Sequence, residues 1–308
     1  MEKIKSAFSI GDLESLTGIS AHTIRIWEKR YHLLSPCRSD TNIRKYNNDD
    51  LCKLLNVALL QKHGLKISKI ACLSDQEIER KINELTAGEK DYYQTCINHF
   101  KNAMFQFDDM LFEETCKRII RKHSFEALFI RVFFPLMKEL GILWQTKSIS
   151  PAHEHFITNL IKQKLYSEID RLGFPEEDAQ EPLSYVIFLP HNEFHELGSL
   201  FLQFLLKQKG KHTINLGASI EAKDLVSLRE SIQADIVYIS WWTIFPESHQ
   251  IDQYLSFFQQ HILRPIDKLL VTGPMVEGQI VDLSLNQVIL FSNPAALVDF
   301  LNISIHQA

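Results

Sequence analysis

Apolar residues near the N-terminus recur every three or four positions, which predicts two short helices separated by a tight turn. The first helix begins after Ser9, a residue type that caps helices well, and ends near Gly18. The second begins after Ser20 and carries Ile24 and Trp27 on one face. Two short helices joined by a turn that contains glycine are typical of a helix-turn-helix.

The next stretch, LLSPCRSDTNIRKY, is too polar and broken for a helix and predicts a two-stranded loop. It is followed by an apolar period that predicts a longer helix, capped by Asn47 or Asn48 and ended by Gly64. The stretch KISKIACL predicts one more short helix. Helices and a small β-loop therefore complete a first domain.

A second segment, to about residue 175, keeps helical spacing and contains no convincing strand. Its apolar residues recur at intervals of three and four and its connections are short, so we expect a four-helix bundle. The stretch DRLGFPEEDAQEPL, which combines glycine, two prolines and several acids, predicts a linker after the bundle.

The third segment changes to short apolar runs rich in β-branched residues, which alternate with helical stretches. Five such runs with mostly helical connections predict a parallel sheet covered on both faces. Right-handed crossovers make this sheet doubly wound, and such sheets bind ligands beyond the carboxyl ends of their strands. The predicted fold is multidomain α and α/β, with a winged helix-turn-helix (1–75), a four-helix bundle (76–175) and a doubly wound parallel sheet (183–308).

Composition places the chain among ordinary globular proteins, with 45% hydrophobic and 23% charged residues in 308. Its apolar stretches fall well short of the roughly 20 residues that span a bilayer, and its N-terminus has no apolar core of a signal peptide. We therefore expect a cytoplasmic protein without membrane contacts. Five cysteines, odd in number and never in a C-x-x-C pair, predict buried free thiols and no disulfide framework or structural zinc site.

Charge is unevenly distributed along the chain. Residues 1–75 hold twelve Lys or Arg against eight Asp or Glu, whereas the whole chain carries a net charge of −5. A small basic domain on an acidic body is a common arrangement for a regulator that binds DNA, although solvated surface charges are the simpler alternative. The candidate DNA contacts lie on the second helix and in the loop after it: His22, Thr23, Arg25, Lys29, Arg30, Arg38, Arg44, Lys45 and Tyr46.

Two further places carry chemistry. In HNEFHELGSLFL, His195 follows the first strand of the sheet, where a histidine serves as a core contact, a catalytic base or a ligand to a bound group. In the bundle, Trp144 stands ten residues before Glu154 and His155, which open a long helix. The pair His153 and His155 lacks the i, i+4 spacing of two metal ligands on one helix face. The tryptophan is a core residue by pattern, and the Glu-His pair is placed to reach a ligand held by the adjoining domain.

The first domain resembles the MerR-type winged helix-turn-helix. It carries that family's T-[IL]-R-x-[WY]-E core at Thr23–Glu28, its L-L-x-P-x-R at Leu33–Arg38 and its R-x-Y at Arg44–Tyr46. The resemblance implies a two-fold dimer on a pseudo-palindromic promoter element of double-stranded DNA. Because only DQEIERKINELTAGEKD separates this domain from the bundle, we expect the later domains to supply the dimer.

The same resemblance assigns roles to single residues. It implies that Arg25 and the loop residues Arg38, Arg44 and Tyr46 contact the DNA backbone, while the start of the second helix reaches base edges. Trp27 matches a position that packs in the core of the domain. The bases that are recognised do not follow from these matches.

A helical bundle with W-x9-E-H before a doubly wound domain with E-x-H-x-x-G resembles the cobalamin-binding module of methionine synthase and its regulator relatives. With the MerR-type domain in front, the whole chain resembles the CarH/LitR group of adenosylcobalamin-dependent, light-responsive repressors. This implies a flavodoxin-like cobalamin-binding fold, with adenosylcobalamin or methylcobalamin as cofactor. It also implies a homo-oligomer, a dimer or a tetramer, whose assembly depends on the state of the cofactor.

In the resembled modules, His195 matches the axial ligand of cobalt, and Glu193 stands where most members have the aspartate that orients this histidine. Gly198 matches the position beside the cofactor's nucleotide tail, Ser240 a contact to its lower base, and Gly273 the first residue of a Gly-Gly pair. The residues that match the upper face of the cofactor are Trp144, Glu154 and His155.

Several positions depart from the resembled pattern. Gln145 follows Trp144 where light-responsive members commonly carry histidine. Trp241 and Trp242 are bulky where the nucleotide tail passes, and Pro274 replaces the second glycine of the Gly-Gly pair. These substitutions predict a tail pocket that is partly closed.

The expected function is a DNA-binding transcriptional regulator, of the repressor and photoreceptor type, whose C-terminal half binds cobalamin and couples its state to oligomerisation and DNA binding. The alternative keeps the DNA-binding domain but makes the C-terminal half a cofactor-free module for dimerisation or for a partner protein, with His195 an ordinary loop histidine. An enzyme is not expected, because nothing in the chain resembles a substrate-binding barrel.

Overall fold

The computed structural model describes residues 7–39, 42–85, 89–145, 149–173, 183–276 and 287–306. Two compact units divide the chain, the first over residues 1–161 and the second over residues 162–308. Most of the predicted linker DRLGFPEEDAQEPL lies outside the described residues. Among the residues that are described, no helix combines the length and the apolar character needed to cross a membrane.

The first unit opens with the two predicted helices, α1 (Ile10–Thr17) and α2 (Ala21–Tyr31). Ser9 begins α1 with a capping box, and Ser20 caps α2 by accepting a hydrogen bond from a backbone N–H three residues on. Gly18 ends α1 with a φ of 73°, a left-handed conformation that glycine adopts without strain. The caps that the sequence predicts are therefore present.

The predicted two-stranded loop is a small wing. Its strands, β1 (Cys37–Arg38) and β2 (Arg44–Lys45), pair antiparallel. Directly after β2, Tyr46 forms two backbone hydrogen bonds with Phe8, at 2.8 and 2.9 Å, and both side chains are buried. The wing is thereby joined to the start of the domain.

Helices form the rest of the first unit, and the last of them continues beyond residue 161. They are α3 (Asn48–Lys62), α4 (Ile67–Ile70), α5 (Asp75–Leu85), α6 (Glu89–Gln106), α7 (Asp109–Lys122), α8 (Phe125–Leu128), α9 (Phe134–Gln145) and α10 (Pro151–Arg171). A π-helical turn at Phe129–Phe133 joins α8 to α9. Asn47 caps α3, which ends two residues before the predicted Gly64 because His63 closes its last turn.

Aromatic side chains fill the centre of the bundle. Phe100 on α6 packs at a ring distance of 5.1 Å against both Phe112 on α7 and Phe133 in the π-helical turn. The rings of Phe112 and Phe133 stack in parallel planes at 6.0 Å, and all three side chains are fully buried. This common core shows why helices predicted from periodicity alone pack as one bundle.

The second unit is a parallel α/β sandwich, as predicted. Its strands are β3 (Leu183–Pro190), β4 (Thr213–Ile220), β5 (Asp235–Trp241), β6 (Lys268–Thr272) and β7 (Val288–Phe291). Its helices are α11 (Leu197–Gln208), α12 (Ala222–Ser231), α13 (Ile251–His261) and α14 (Pro294–His306). The strands run parallel in the order β4-β3-β5-β6-β7, which is the flavodoxin-like order with a switch point beside β3.

The cysteines correct one expectation. All five are free, but only Cys96 and Cys116 are buried. Cys37 is exposed because it lies in the wing, Cys72 is exposed just after α4, and Cys52 is half-buried on α3. Within the described ranges, no group of three or more His, Cys, Asp or Glu side chains is placed to hold a metal ion.

Candidate functional site

The outer face of α2 carries most of the predicted DNA contacts. Arg25, Lys29 and Arg30 are exposed on this helix. His22 is exposed in its first turn, where the Thr23 hydroxyl lies within hydrogen-bond distance of the cap. Because a recognition helix meets DNA with its N-terminal residues and its cations, this face has the composition that such a contact needs.

Glu28, at the far end of α2, connects that helix to the wing. Its carboxylate accepts hydrogen bonds from Arg44 Nε and from the hydroxyl of Tyr46, each at 3.0 Å. The hydrogen bond and charge of Glu28 raise the pKa of Arg44, and burial together with Glu28 raises the pKa of Tyr46. Arg38 and Lys45 are exposed, whereas Tyr46 is only 1% exposed. The motif search named Glu28 but missed its role, since only the fold brings it to the wing.

A contiguous set of buried contacts leads from the wing to the start of α10. Phe8, which pairs with Tyr46, meets Phe105 on α6 edge to face at 5.3 Å. Phe105 in turn meets His153 at 5.5 Å, and its carbonyl accepts a hydrogen bond from the Asn48 side chain at 3.0 Å. His153 is 1% exposed and directly precedes the predicted pair at positions 154 and 155.

The three bundle residues predicted to contact a cofactor are described in the first unit. Trp144, near the end of α9, is 49% exposed, unlike an ordinary core tryptophan. In the first turn of α10, Glu154 Oε2 lies 2.9 Å from Nδ1 of His155. The side chain of Gln145 lies outside the described residues. The residues predicted for the other face of the cofactor belong to the second unit, so the meeting of the two groups over one ligand stays a prediction.

His195 lies at the carboxyl edge of the sheet, between β3 and α11, as predicted. Its Nδ1 is 2.5 Å from Oε1 of Glu193, and its side chain is 52% exposed. The same oxygen of Glu193 accepts backbone N–H groups of Phe194 and His195, each at 3.0 Å. Because Nδ1 faces the carboxylate, Nε2 is the candidate nitrogen for coordinating a metal.

The second oxygen of Glu193 organises the neighbouring loop. Oε2 accepts three consecutive backbone N–H groups, from Thr243, Ile244 and Phe245, at 2.8, 2.7 and 3.1 Å. Burial alone would raise the pKa of Glu193, but the hydrogen bonds from His195 and from these N–H groups outweigh burial and lower the pKa to about 2. Glu193 is therefore a carboxylate at neutral pH although its side chain is fully buried.

Two exposed apolar residues share the carboxylate of Glu193 with His195. Phe194 is 62% exposed and Ile244 is 48% exposed, and both receive their backbone positions from Glu193. We call Phe194, His195 and Ile244 the edge platform. It combines one imidazole with apolar surface, which suits a large planar ligand better than a small polar one. Sequence reasoning missed Phe194 and Ile244, although exposed apolar residues beside a strand end are the signal that marks them.

Behind the edge platform, Gly198 at the start of α11 lies against Trp241 at the end of β5. A Cβ added to Gly198 would lie only 2.1 to 2.4 Å from three ring atoms of Trp241. The indole face therefore rests on the α-carbon of Gly198, and Trp241 is 7% exposed. The close approach of Trp241 therefore accounts for a glycine at position 198.

The other two predicted tail contacts, Ser240 and Gly273, both meet Trp242. The hydroxyl of Ser240 accepts a hydrogen bond from Trp242 Nε1 at 2.9 Å, and both side chains are fully buried. At Gly273, which has a φ of 124°, an added Cβ would lie 2.3 Å from the carbonyl oxygen of Trp242. Each predicted contact is thus engaged by the chain's own tryptophan.

The site fits one part of the cofactor that the resemblance implies and does not fit another. Glu193 and His195 have the arrangement of an oriented, metal-ligating imidazole, and the edge platform offers apolar surface beside it. The crevice between Gly198 and Trp241 does not fit a nucleotide tail, because the indole fills it.

Two families match parts of the chain. Residues 8–77 match the MerR HTH family regulatory protein, and residues 96–167 match the B12 binding domain. The first match spans α1 to the beginning of α5, and the second spans most of the helical bundle. Both matches include residues of the first unit, which carries the α2 face and Trp144.

Similar proteins include regulators and a corrinoid protein. The HTH-type transcriptional repressor CarH of Myxococcus xanthus is 23% identical over 238 residues, which is 76% of this chain and 78% of that protein. The HTH-type transcriptional regulator TnrA of Bacillus subtilis is 30% identical over 105 residues, 34% of this chain and 90% of that protein. The monomethylamine corrinoid protein of Methanosarcina barkeri superposes with a TM-score of 0.53 at 14% identity, and the match covers 70% of this chain and 99% of that one. This last likeness concerns the fold.

Proposed function

We infer that this chain, which belongs to the MerR-type helix-turn-helix regulators and carries a B12 binding domain, is a repressor that holds promoter DNA through α2 and the wing and responds to a corrinoid of the cobalamin class at His195. Its relatives CarH and TnrA are named as transcriptional regulators, which supports a regulatory role over a catalytic one.

A single arrangement carries the corrinoid part of this proposal. Glu193 is a fully buried carboxylate that orients the exposed imidazole of His195 through Nδ1. A carboxylate partner of this kind selects the tautomer that presents Nε2 and raises its basicity, as it does for histidines that coordinate metals. The second oxygen of Glu193 holds the loop after β5, so the feature that supports a ligand role is the bond from the first oxygen to Nδ1 of an exposed histidine.

The residues around His195 have separate tasks. Phe194 and Ile244 would exclude water around a bound corrinoid, and Glu193, through Nδ1, would orient the imidazole of His195 that would hold its metal. The family resemblance assigns Trp144, Glu154 and His155 to the opposite face of the ligand. In its adenosylated form the cofactor would supply a light-sensitive cobalt–carbon bond, which would give the repressor a response to light.

The DNA-binding part is a two-fold dimer on a pseudo-palindromic element. Arg25, Lys29 and Arg30 meet phosphates, with Arg38 and Lys45 of the wing extending the contact. His22 and Thr23, in the first turn of α2, reach base edges. Arg44 and Tyr46 set the position of the wing through Glu28. Tyr46, at 1% exposure, supports the wing from within and does not itself contact DNA, contrary to the expectation from the resemblance.

Coupling between ligand and DNA runs through the buried contacts of the first unit. A change at Glu154 or His155 moves the start of α10, where His153 packs on Phe105. Phe105 packs on Phe8, whose backbone is hydrogen-bonded to the end of the wing. Because such packed contacts have discrete arrangements, a shift of α10 changes the preferred position of the wing. The oligomeric state that depends on this position changes with it.

The filled crevice at Gly198 favours a second candidate. In that interpretation the C-terminal half is a cofactor-free module that serves dimerisation or a partner protein, and the edge platform is its apolar docking surface. The two interpretations differ in whether any corrinoid binds at all.

Corrinoid absorbance that remains after desalting distinguishes the two interpretations. The full chain is incubated in the dark with hydroxocobalamin or, separately, with aquocobinamide, desalted, and its absorbance spectrum recorded. Retention of either corrinoid at one per chain, with a spectrum that His195→Ala shifts, supports the proposal. His191→Ala, which removes another exposed histidine of the same edge, is the matched control and leaves the spectrum unchanged. If the chain retains neither hydroxocobalamin nor aquocobinamide after desalting, the corrinoid site is overturned and the cofactor-free module is favoured.

A further inference from the structure

Trp241 lies behind His195, where an appendage of a ligand would have to run between α11 and β5. Its indole lies on the α-carbon of Gly198, so close that even a methyl group at that position would overlap the ring. Contact between a helix start and an aromatic face at this distance leaves no passage for a heterocyclic base. The crevice behind the edge platform is closed by a side chain of the protein itself.

Hydrogen bonds fix the backbone at the end of β5, where Trp241 lies. Trp241 is the last residue of β5 and pairs with Thr272 on β6. The next residue, Trp242, donates its N–H to the Thr272 carbonyl at 2.8 Å and accepts the N–H of Met275 at 3.1 Å. Its indole N–H is bonded to Ser240. These contacts fix the backbone at the end of β5, and the side chain of Trp241 is itself only 7% exposed, enclosed beside Gly198.

The edge platform in front of Trp241 is open. His195, Phe194 and Ile244 are each about half exposed or more, whereas Trp241 directly behind them is 7% exposed. The site therefore offers exposed apolar side chains and one imidazole, with a buried indole against Gly198. A ligand that fits has a broad face, a metal at its centre and no bulky group below that metal.

Cobalamin carries a bulky group in that place. Its nucleotide tail bears a base that coordinates the lower face of cobalt, and an imidazole replaces this base only if the tail moves into free space. A tailless corrinoid of the cobinamide type has no such base and no such tail. We propose that Trp241 is the specificity-determining residue of this site, and that it selects a tailless corrinoid over cobalamin; this rests on the corrinoid site proposed above.

The test compares two ligands on the full chain. Aquocobinamide and hydroxocobalamin are titrated separately in the dark, and Kd is taken from the absorbance change. The wild-type chain is expected to bind cobinamide at least about tenfold more tightly than cobalamin. Trp241→Gly opens the crevice and reduces this preference to near parity by improving cobalamin binding. Phe257→Leu, at a partly exposed aromatic site on α13 that does not contact Gly198, Ser240 or Gly273, keeps the wild-type preference.

The outcomes separate this inference from the function on which it rests. Equal affinity of the wild-type chain for both corrinoids leaves the corrinoid site intact and overturns the role of Trp241. A cobinamide preference that survives in Trp241→Gly also overturns it. Failure of both ligands to bind removes the corrinoid site, and the inference with it. If Trp241→Gly does not fold, Trp241→Leu tests the same point with a smaller opening of the crevice between α11 and β5. The affinities of the wild-type chain for the two corrinoids can be compared without any variant.

Discussion

Glu193 and His195 are joined at 2.5 Å between Oε1 and Nδ1, and the same carboxylate binds three N–H groups of the loop after β5 through its other oxygen. One buried charge therefore sets both the orientation of the imidazole and the position of the apolar side chain of Ile244. Residues that are fifty positions apart in sequence become one site through this carboxylate.

The buried charge of Glu193 should make the stability of the wild-type protein depend on pH in a defined direction, and replacing it should remove that dependence. The folded-state pKa of Glu193, about 2, lies below the ordinary value of 4.5, so its ionised form stabilises the fold above pH 4.5 and this contribution is lost as pH falls towards 2. Glu193→Gln is expected to lower the free energy of unfolding at pH 7 by roughly 3 kcal/mol. Thermal unfolding followed between pH 2 and 7 should show the wild-type advantage shrinking on acidification.

Glu221→Gln is the control for that series, because Glu221 is an exposed carboxylate beyond the end of β4. It should change the melting temperature little at any pH. A Glu193→Gln protein as stable as wild type at pH 7, or equally destabilised at pH 2, would contradict the assignment.

Substitution of Glu28 should change promoter affinity in the direction opposite to the one that charge alone predicts. Removing a negative charge from a DNA-binding face should tighten binding by charge alone. Because Glu28 holds Arg44 and Tyr46 of the wing, Glu28→Gln is instead expected to weaken promoter binding about threefold to tenfold. Fluorescence anisotropy with labelled DNA measures the change, and Glu14→Gln, on the exposed side of α1, should not weaken binding. Tighter binding by the Glu28 variant would show that the wing does not depend on this carboxylate.

Arg25→Ala should leave one DNA phosphate without its cation at each recognition helix. The expected result is weaker binding at all salt concentrations, with a slope of log K against log salt that becomes shallower by about 0.9 for each phosphate that is no longer neutralised. Arg80→Ala removes an exposed arginine of α5 and serves as the control. Binding isotherms at several salt concentrations that superpose for Arg25→Ala and wild type would exclude a phosphate interaction of Arg25.

Phe105 should matter for coupling more than for either binding event. Phe105→Leu keeps an apolar side chain and lowers the free energy of unfolding by roughly 1 to 2 kcal/mol, and it removes the aromatic ring that packs on Phe8 and His153. Corrinoid and DNA should each still bind, while the effect of one on the other decreases. Phe257→Leu, at a half-exposed site on α13, should leave that effect unchanged. Full coupling in the Phe105 variant would exclude this route.

Much of the architecture follows from local pattern. The helix caps at Ser9 and Ser20, the wing, and five parallel strands were all predicted, because periodicity and capping are properties of neighbouring residues. The sequence also placed His195 at the edge of the sheet and marked Trp241 as bulky for a tail pocket.

Other features depend on contacts that no local pattern encodes. The loop N–H groups that Glu193 binds belong to backbone atoms, which carry no residue-type signal. That Trp241 lies on Gly198 follows from the packing of α11 on the sheet, and the link from Glu28 to the wing follows from how β2 returns to α2. The buried path through Phe105 joins segments that sequence analysis treated as separate domains.

The central claim is that a corrinoid at His195 changes the grip on DNA, and one titration tests it directly. Labelled DNA from upstream of the chain's own gene is titrated with the full chain in the dark, with and without saturating aquocobinamide, for wild type, His195→Ala and His191→Ala. We expect the corrinoid to change the DNA Kd of the wild type and of His191→Ala by about fivefold or more, and to leave that of His195→Ala unchanged. No effect on the wild type, or an equal effect on His195→Ala, would contradict the account.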